Sequence, residues 1–225
     1  MTQFAEQVRI LTSRCEQFRG SEAPDGYPDS LALCIVDSVQ STMVKYPTVE
    51  KVLRNYRAYR REHGGDPNKD SAVDLAATFD QLKGHEAWAQ RIGNGNRTST
   101  HKGAPLKAYA IEAEATAMIG IEVVTAQDLR TAAEDPDELA RVKKEWLKVP
   151  GQGPGVTWHY VQMLAGVPGI KPDRMIIRFV ANALNIPVKT VNPSFCVEVL
   201  TAVADELSMT ATALDHAIWN YQRAR

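Results

Sequence analysis

The chain is poor in cysteine: 225 residues contain only Cys15, Cys34 and Cys196. An odd number at wide spacing, with no C-x-x-C, supplies neither a disulfide framework nor a cysteine metal site. No apolar run approaches the roughly 20 residues that a membrane-spanning helix needs. The start, Met1-Thr2-Gln3-Phe4-Ala5-Glu6, has no basic head followed by an apolar core, so no signal peptide is expected. These absences predict a cytoplasmic protein with no membrane partner. The five histidines (63, 85, 101, 159 and 216) show no H-E-x-x-H spacing, which argues against a zinc hydrolase. The P-loop pattern G-x-x-x-x-G-K-[ST] is also missing, which excludes that class of NTPase. No metal and no cofactor is expected.

Net charge is scarce too, at −1, yet the charges are segregated by sign. Residues 45–61 carry Lys45, Lys51, Arg54, Arg57, Arg60 and Arg61 against Glu50 alone, and residues 91–107 carry Arg91, Arg97, Lys102 and Lys107 with no acid. Between these and residue 148, positions 112–138 hold eight acids against Arg130. Basic segments of this kind suit either a solvated helix face or a nucleic-acid backbone, and charge distribution matters more than the sum.

Strand signals are nearly absent; Ile121-Glu122-Val123-Val124 is the single short candidate. No repeat of 20–50 residues is visible. Helical periodicity dominates, and the chain is expected to be all-α with about ten or eleven helices. Phe4, Val8, Leu11, Cys15 and Phe18 mark a first helix over 2–19, stopped at Gly20. Asp29 or Ser30 caps a second, whose body Leu31-Ala32-Leu33-Cys34-Ile35-Val36 is apolar on nearly every side and so reads as central in a core. It ends in the polar run Asp37-Ser38-Val39-Gln40-Ser41-Thr42. Thr48 is expected to cap a basic helix over 49–63. Helices follow over 71–82 and 85–92, and residues 93–105 form a long polar, basic loop of the sort that often carries function. Further helices are expected over 106–120, over 126–133 capped by Thr125, and from a cap at Asp135 or Asp137 to Trp146. Beyond residue 155 come 156–166, 174–184 capped by Asp173, 194–207, and a last helix opened by Thr210 or Thr212.

Lys148-Val149-Pro150-Gly151-Gln152-Gly153-Pro154-Gly155 joins two of these helices. Glycine permits positive φ and close approach. The second helix begins there with free N–H groups and the positive end of its dipole. Such a hairpin suits a phosphate, although Gly-x-Gly alone is an ordinary turn between helices. Asp173 lies eighteen residues after Gly155; an aspartate after a proline at a helix start is an ordinary N-cap.

Taken together, residues 137–180 resemble the helix-hairpin-helix-GPD superfamily of base-excision DNA glycosylases. There a hairpin of the form L-P-G-V-G-x-K is followed, at this same offset, by an essential aspartate. Residues 31–45 resemble that family's buried helix ending in S-x-Q-x-T, here Ser38-Val39-Gln40-Ser41-Thr42. The resemblance implies a two-lobed helical fold formed by the whole chain as one unit. Lobe A would comprise 1–40 and 160–225, and lobe B 41–159 with the hairpin. It implies hydrolysis of the N-glycosidic bond of a flipped base, with Asp173 stabilising the positive charge that builds on the sugar. Gly151, Gly153 and Gly155 would hold the DNA backbone, helped by Lys148, Arg97 and Lys102, and Gln40 would fill the vacated stack. Trp158, His159, Tyr160 and Trp219 are candidates for the base pocket, with His85, Trp88 and His216 behind them. The expected partner is duplex DNA with a damaged or modified base, bound by a monomer; in a bacterial cell the protein would lie at the nucleoid. Two departures narrow the expectation. Gly155 stands where bifunctional members carry a lysine nucleophile, so no lyase step is expected. Three scattered cysteines cannot supply the iron–sulfur cluster of some members. A DNA-binding protein of this fold without catalysis, and a helical scaffold with no nucleic-acid role, are the alternatives.

Overall fold

The computed structural model describes residues 2–224. Among them are twelve α-helices and two short 3-10 turns. In chain order the helices are α1 (Gln3–Cys15), α2 (Leu31–Gln40), α3 (Tyr46–Glu62), α4 (Ala72–Leu82), α5 (His85–Arg91) and α6 (Lys107–Gly120). They continue as α7 (Ala126–Ala133), α8 (Pro136–Trp146), α9 (Val156–Leu164), α10 (Arg174–Leu184), α11 (Pro193–Glu206) and α12 (Ala211–Arg223). The protein is all-α. The single β pairing among the described residues is a bridge between Arg97 and Leu106.

Local side chains decide most helix starts. Ser30, Ser71, Thr125, Asp135, Asp173 and Thr210 each accept backbone N–H groups of the helix they open. Ser71 with Asp74, and Thr125 with Asp128, form reciprocal capping boxes. Three expectations need correction. Helix α3 starts at Tyr46 with Lys45 as its N-cap, not at Thr48, because Pro47 fits the first turn, where its missing N–H is not needed. Helix α1 ends at Cys15, and residues 16–18 tighten into a 3-10 turn. The segment 121–124 is a turn, not a strand: Glu122 takes φ +62°, and the Val124 amide donates to Asp128 Oδ2 at 3.0 Å. The acid that caps α7 thus draws in the residues before it.

The chain divides into two compact units, 26–167 and 1–25 with 168–225. The division falls after Asp25 and after Val167, not at 40 and 159. The reason is α2, all ten of whose residues are buried. It packs on α3, α4, α6 and α9 of the larger unit, which fixes α2 and the whole of α9 there. The core of that unit includes Leu31 to Val36, Tyr56, Trp88, Ile111, Trp146 and Val161. A buried ion pair ties α3 to the turn before α4: Arg60 grips Asp70 at 2.7 and 2.8 Å, and Tyr56 adds a third hydrogen bond at 2.8 Å. In the smaller unit α1 packs on α10 and α11, and α12 packs on both of these, around Leu11, Cys15, Ile176, Cys196, Leu200 and Leu214.

Candidate functional site

The hairpin between α8 and α9 is held from inside. Trp146 Nε1 donates to Thr157 Oγ1 at 3.1 Å, and the Thr157 hydroxyl donates to Gln152 Oε1 at 2.6 Å. Gln152 is buried, and Trp146 and Trp158 pack with ring centroids 6.2 Å apart. This relay runs from the end of α8 through the first turn of α9 to the hairpin tip, and it fixes both helices around the turn. Backbone bonds from Gln152 N to Val149 O and from Gly155 N to Gln152 O close it. Helix α9 has Gly155 as its N-cap, φ +79°, and no side chain accepts from its first amides.

The three hairpin glycines differ. Gly151 has φ +90°, and a Cβ there would lie 2.6 Å from the Thr98 Cβ. Its glycine is demanded by the 93–105 loop packed against it. Gly155 needs its positive φ for the helix start. Gly153 has neither constraint: its φ is not positive and nothing lies within 4 Å of a Cβ placed on it. It sits exposed at the tip, where backbone can be approached closely from outside.

The loop 93–105 is closed on itself. Thr98 N donates to Pro105 O at 3.0 Å, Lys107 N donates to Asn96 O at 2.8 Å, and the Arg97 guanidinium holds Ala104 O at 2.5 Å. Arg97 is exposed but engaged within its own loop, while Lys102 is exposed at the loop tip beside His101 and Gly103. Lys148 is also exposed and is held by Glu145 at 2.7 Å. On α3, Lys51, Arg54 and Arg61 are exposed, whereas Arg60 is spent on Asp70 and Arg57 lies over the Tyr27 ring at 5.3 Å.

The polar end of α2 is buried. Asp37 accepts the Tyr27, Tyr46 and Ser41 hydroxyls at 2.9, 3.0 and 2.8 Å. Burial and the Asp37 charge push the phenols upward, Tyr46 to about 12, and Tyr160 is raised in the same way. Gln40 is fully buried, not at a DNA-facing surface. Its Oε1 accepts from Asn94 Nδ2 at 3.1 Å, and its backbone carbonyl accepts from Lys107 Nζ at 2.8 Å. Lys107 is itself buried, and burial lowers its pKa to about 8. Gln40 therefore joins the start of the 93–105 loop to the end of α2.

The aromatic candidates separate. Trp158 is 2% exposed and packs the hairpin, and Trp88 is fully buried, stacked on Phe79 at 4.8 Å with its Nε1 on Thr78. Both are core, not pocket walls. His159 is half-buried in α9, and burial with the nearby Lys143 lowers its pKa. Tyr160 belongs to the Asp37 cluster. His85 sits in a surface network with Glu86 and Glu112. Trp219 is half-buried on α12, stacked with His216 at 6.4 Å and covered by Arg223 at 5.2 Å.

Asp173 belongs to the smaller unit. Its Oδ1 accepts from the Met175 and Ile176 amides at 2.7 and 3.2 Å, which leaves Oδ2 outside the cap. The carboxylate is half-buried, and the neighbouring Arg174 and Arg178 point to solvent. Asp215 on α12 is 6% exposed and accepts from the Lys171 amide at 2.8 Å. Burial raises its pKa to about 7, against the pull of Lys171 and with the Asp173 charge adding to the rise. Sequence reasoning missed Asp215, Asp37, Lys107 and the Thr157 relay. The only local sign was that each is a polar residue in an otherwise apolar stretch of helix or, for Lys107, at the start of one.

Within the larger unit the hairpin can receive an anion on backbone N–H groups; within the smaller, the Asp173 turn offers a half-committed carboxylate. No curated protein and no solved structure matches the chain. A family model does, over residues 9–223, under the description of a domain of unknown function. The chain belongs to that family, DUF8548.

Proposed function

We propose that the protein is a DNA glycosylase of the helix-hairpin-helix type, one that hydrolyses the N-glycosidic bond of a flipped, modified base and lacks a lyase step. The observation that carries this reading is Gly153. It is a glycine that neither conformation nor packing requires, at the exposed tip of a hairpin pinned by the Trp146–Thr157–Gln152 relay. A close approach from outside accounts for it, and the uncapped start of α9 beside it favours a phosphate. The eighteen-residue offset to Asp173 supports the choice of catalytic carboxylate.

The division of labour follows from chemistry. Backbone amides of the hairpin bind a phosphate, and Lys102 at the loop tip adds charge. With Oδ1 fixed by two amides, the Asp173 carboxylate keeps one orientation, and Oδ2 faces the sugar as positive charge develops at C1′. Gly155 offers no amine, so water adds at C1′ as the C1′–N bond breaks, the base leaves with a proton, and the abasic sugar stays in an uncut strand. A DNA-binding protein without catalysis is the second reading. An ion pair that neutralised Asp173 would favour it, and among the described residues Asp173 forms none.

Asp173→Asn tests the reading. The amide oxygen can still cap α10, so folding and DNA binding persist, while base release from a modified duplex falls about 100- to 1000-fold. Full activity in this variant removes Asp173 from the mechanism.

A further inference from the structure

The Asp173 turn is anchored at its other end. Residues 169–171 pass beside α12, and two alternate amides bond to side chains of that helix. The Gly169 amide donates to Thr212 Oγ1 at 3.1 Å and the Lys171 amide to Asp215 Oδ1 at 2.8 Å. Thr212 and Asp215 are three apart on α12 and so share one face. Between the two amides, Ile170 is fully buried in the apolar core, which sets the phase of the segment. The Asp173 amide then donates to Lys171 O at 2.7 Å. An unbroken series of contacts leads from the Asp215 carboxylate through the Lys171 peptide to the Asp173 backbone, and from the Asp173 carboxylate to the first amides of α10.

We propose that Asp215 is a positioning residue for Asp173, fixing the Lys171-Pro172-Asp173 turn to α12 through the Lys171 amide. A neutral threonine already serves the same purpose at Gly169, so capping alone does not call for a buried acid at position 215. A carboxylate makes the stronger bond to an N–H. It also places a second negative charge near the first, whose effect is opposed by Lys171. Asp215 does not touch the substrate in this account. Its role in the rate rests on the glycosylase reading; its role in placing the turn does not.

Two variants separate anchor from charge. Asp215→Asn keeps an oxygen that can accept from the Lys171 amide and loses the charge, whereas Asp215→Ala loses both. Amide NMR of the full chain between pH 5 and pH 9 reads the geometry. In the wild type the Lys171 amide should titrate with a midpoint near the Asp215 value of about 7. The titration should vanish in Asp215→Asn, and the Asp173 amide should move only in Asp215→Ala. An Asp173 amide unmoved in Asp215→Ala overturns the proposal. On any duplex that the wild type processes, Asp215→Ala should lower kcat about 100-fold with KM little changed, and Asp215→Asn should recover most of it. Equal loss in both variants contradicts the anchor. If no duplex is processed, the NMR result still decides the placement of the turn, and only the glycosylase reading fails.

Discussion

Helix α9 is capped by Gly155 with no side-chain acceptor for its first amides, whereas α10 is capped by Asp173 with a carboxylate that accepts from its own. Both starts expose the positive end of a helix dipole. The first leaves that end open to an external anion. The second fills it with an internal one, and so orients a carboxylate at no cost in unsatisfied amides. Eighteen residues of sequence separate Gly155 from Asp173.

The largest effects should come from breaking the α10 start. Asp173→Ala removes cap and carboxylate together. It should cut base release about 100- to 1000-fold and lower stability by about 1 kcal/mol, a drop of roughly 2–4 °C in melting temperature. Asp173→Asn should match Ala in rate and the wild type in melting temperature. Parallel loss of rate and stability in both variants would reduce Asp173 to a cap. Next, Thr157→Val breaks the relay that holds α9 to the hairpin and strands the Trp146 Nε1–H and the Gln152 side chain in the interior. Urea unfolding should report a loss of about 1–3 kcal/mol.

The hairpin glycines give a finer contrast. Gly151→Ala places a methyl 2.6 Å from Thr98 at φ +90° and should cost about 1–3 kcal/mol. Gly153→Ala meets nothing within 4 Å and should leave stability within about 0.5 kcal/mol while weakening duplex binding. A neutral Gly151→Ala, or unaltered binding in Gly153→Ala, would remove the distinction drawn between these two positions.

The two helix starts should also differ in the sign of their pH dependence. His159, in α9, has a lowered pKa because it is buried and faces Lys143. Its contribution is present above the unfolded histidine range and is lost as pH falls through the lower folded value. Asp215, near the α10 start, is raised from 3.8 to about 7. Its contribution is present below pH 3.8 and is lost as pH rises through about 7. Denaturant titrations across pH 4–8 should show His159→Gln flattening the acid-side loss and Asp215→Asn flattening the opposite one. The same sign in both variants would contradict the assigned causes.

What the sequence made legible is what depends on neighbours along the chain. Ser30, Thr125, Asp173 and Thr210 are caps in the structure because a cap needs only the next three residues. The hairpin is visible for the same reason. Helix α3 began earlier than expected because a proline at the first turn and a threonine just after it give competing local signals. The β-branched run at 121–124 reads as strand by composition, but four residues without a partner strand gain nothing from that preference. Distance in sequence hid the rest. The Asp37 cluster collects phenols from positions 27 and 46. Asp215 reaches back 44 residues to Lys171. Gln40 read as a DNA contact because its motif is local, while its burial depends on Asn94 and Lys107, far along the chain.

The proposed activity is base release without strand cleavage. The wild-type chain incubated with a panel of duplexes, each bearing one modified base, and then treated with hot alkali tests it most directly. At least one duplex should break at the modified position after alkali and stay intact without it, with no borohydride-trapped adduct. No break with any duplex, or breakage before alkali with a trapped protein–DNA complex, would contradict it.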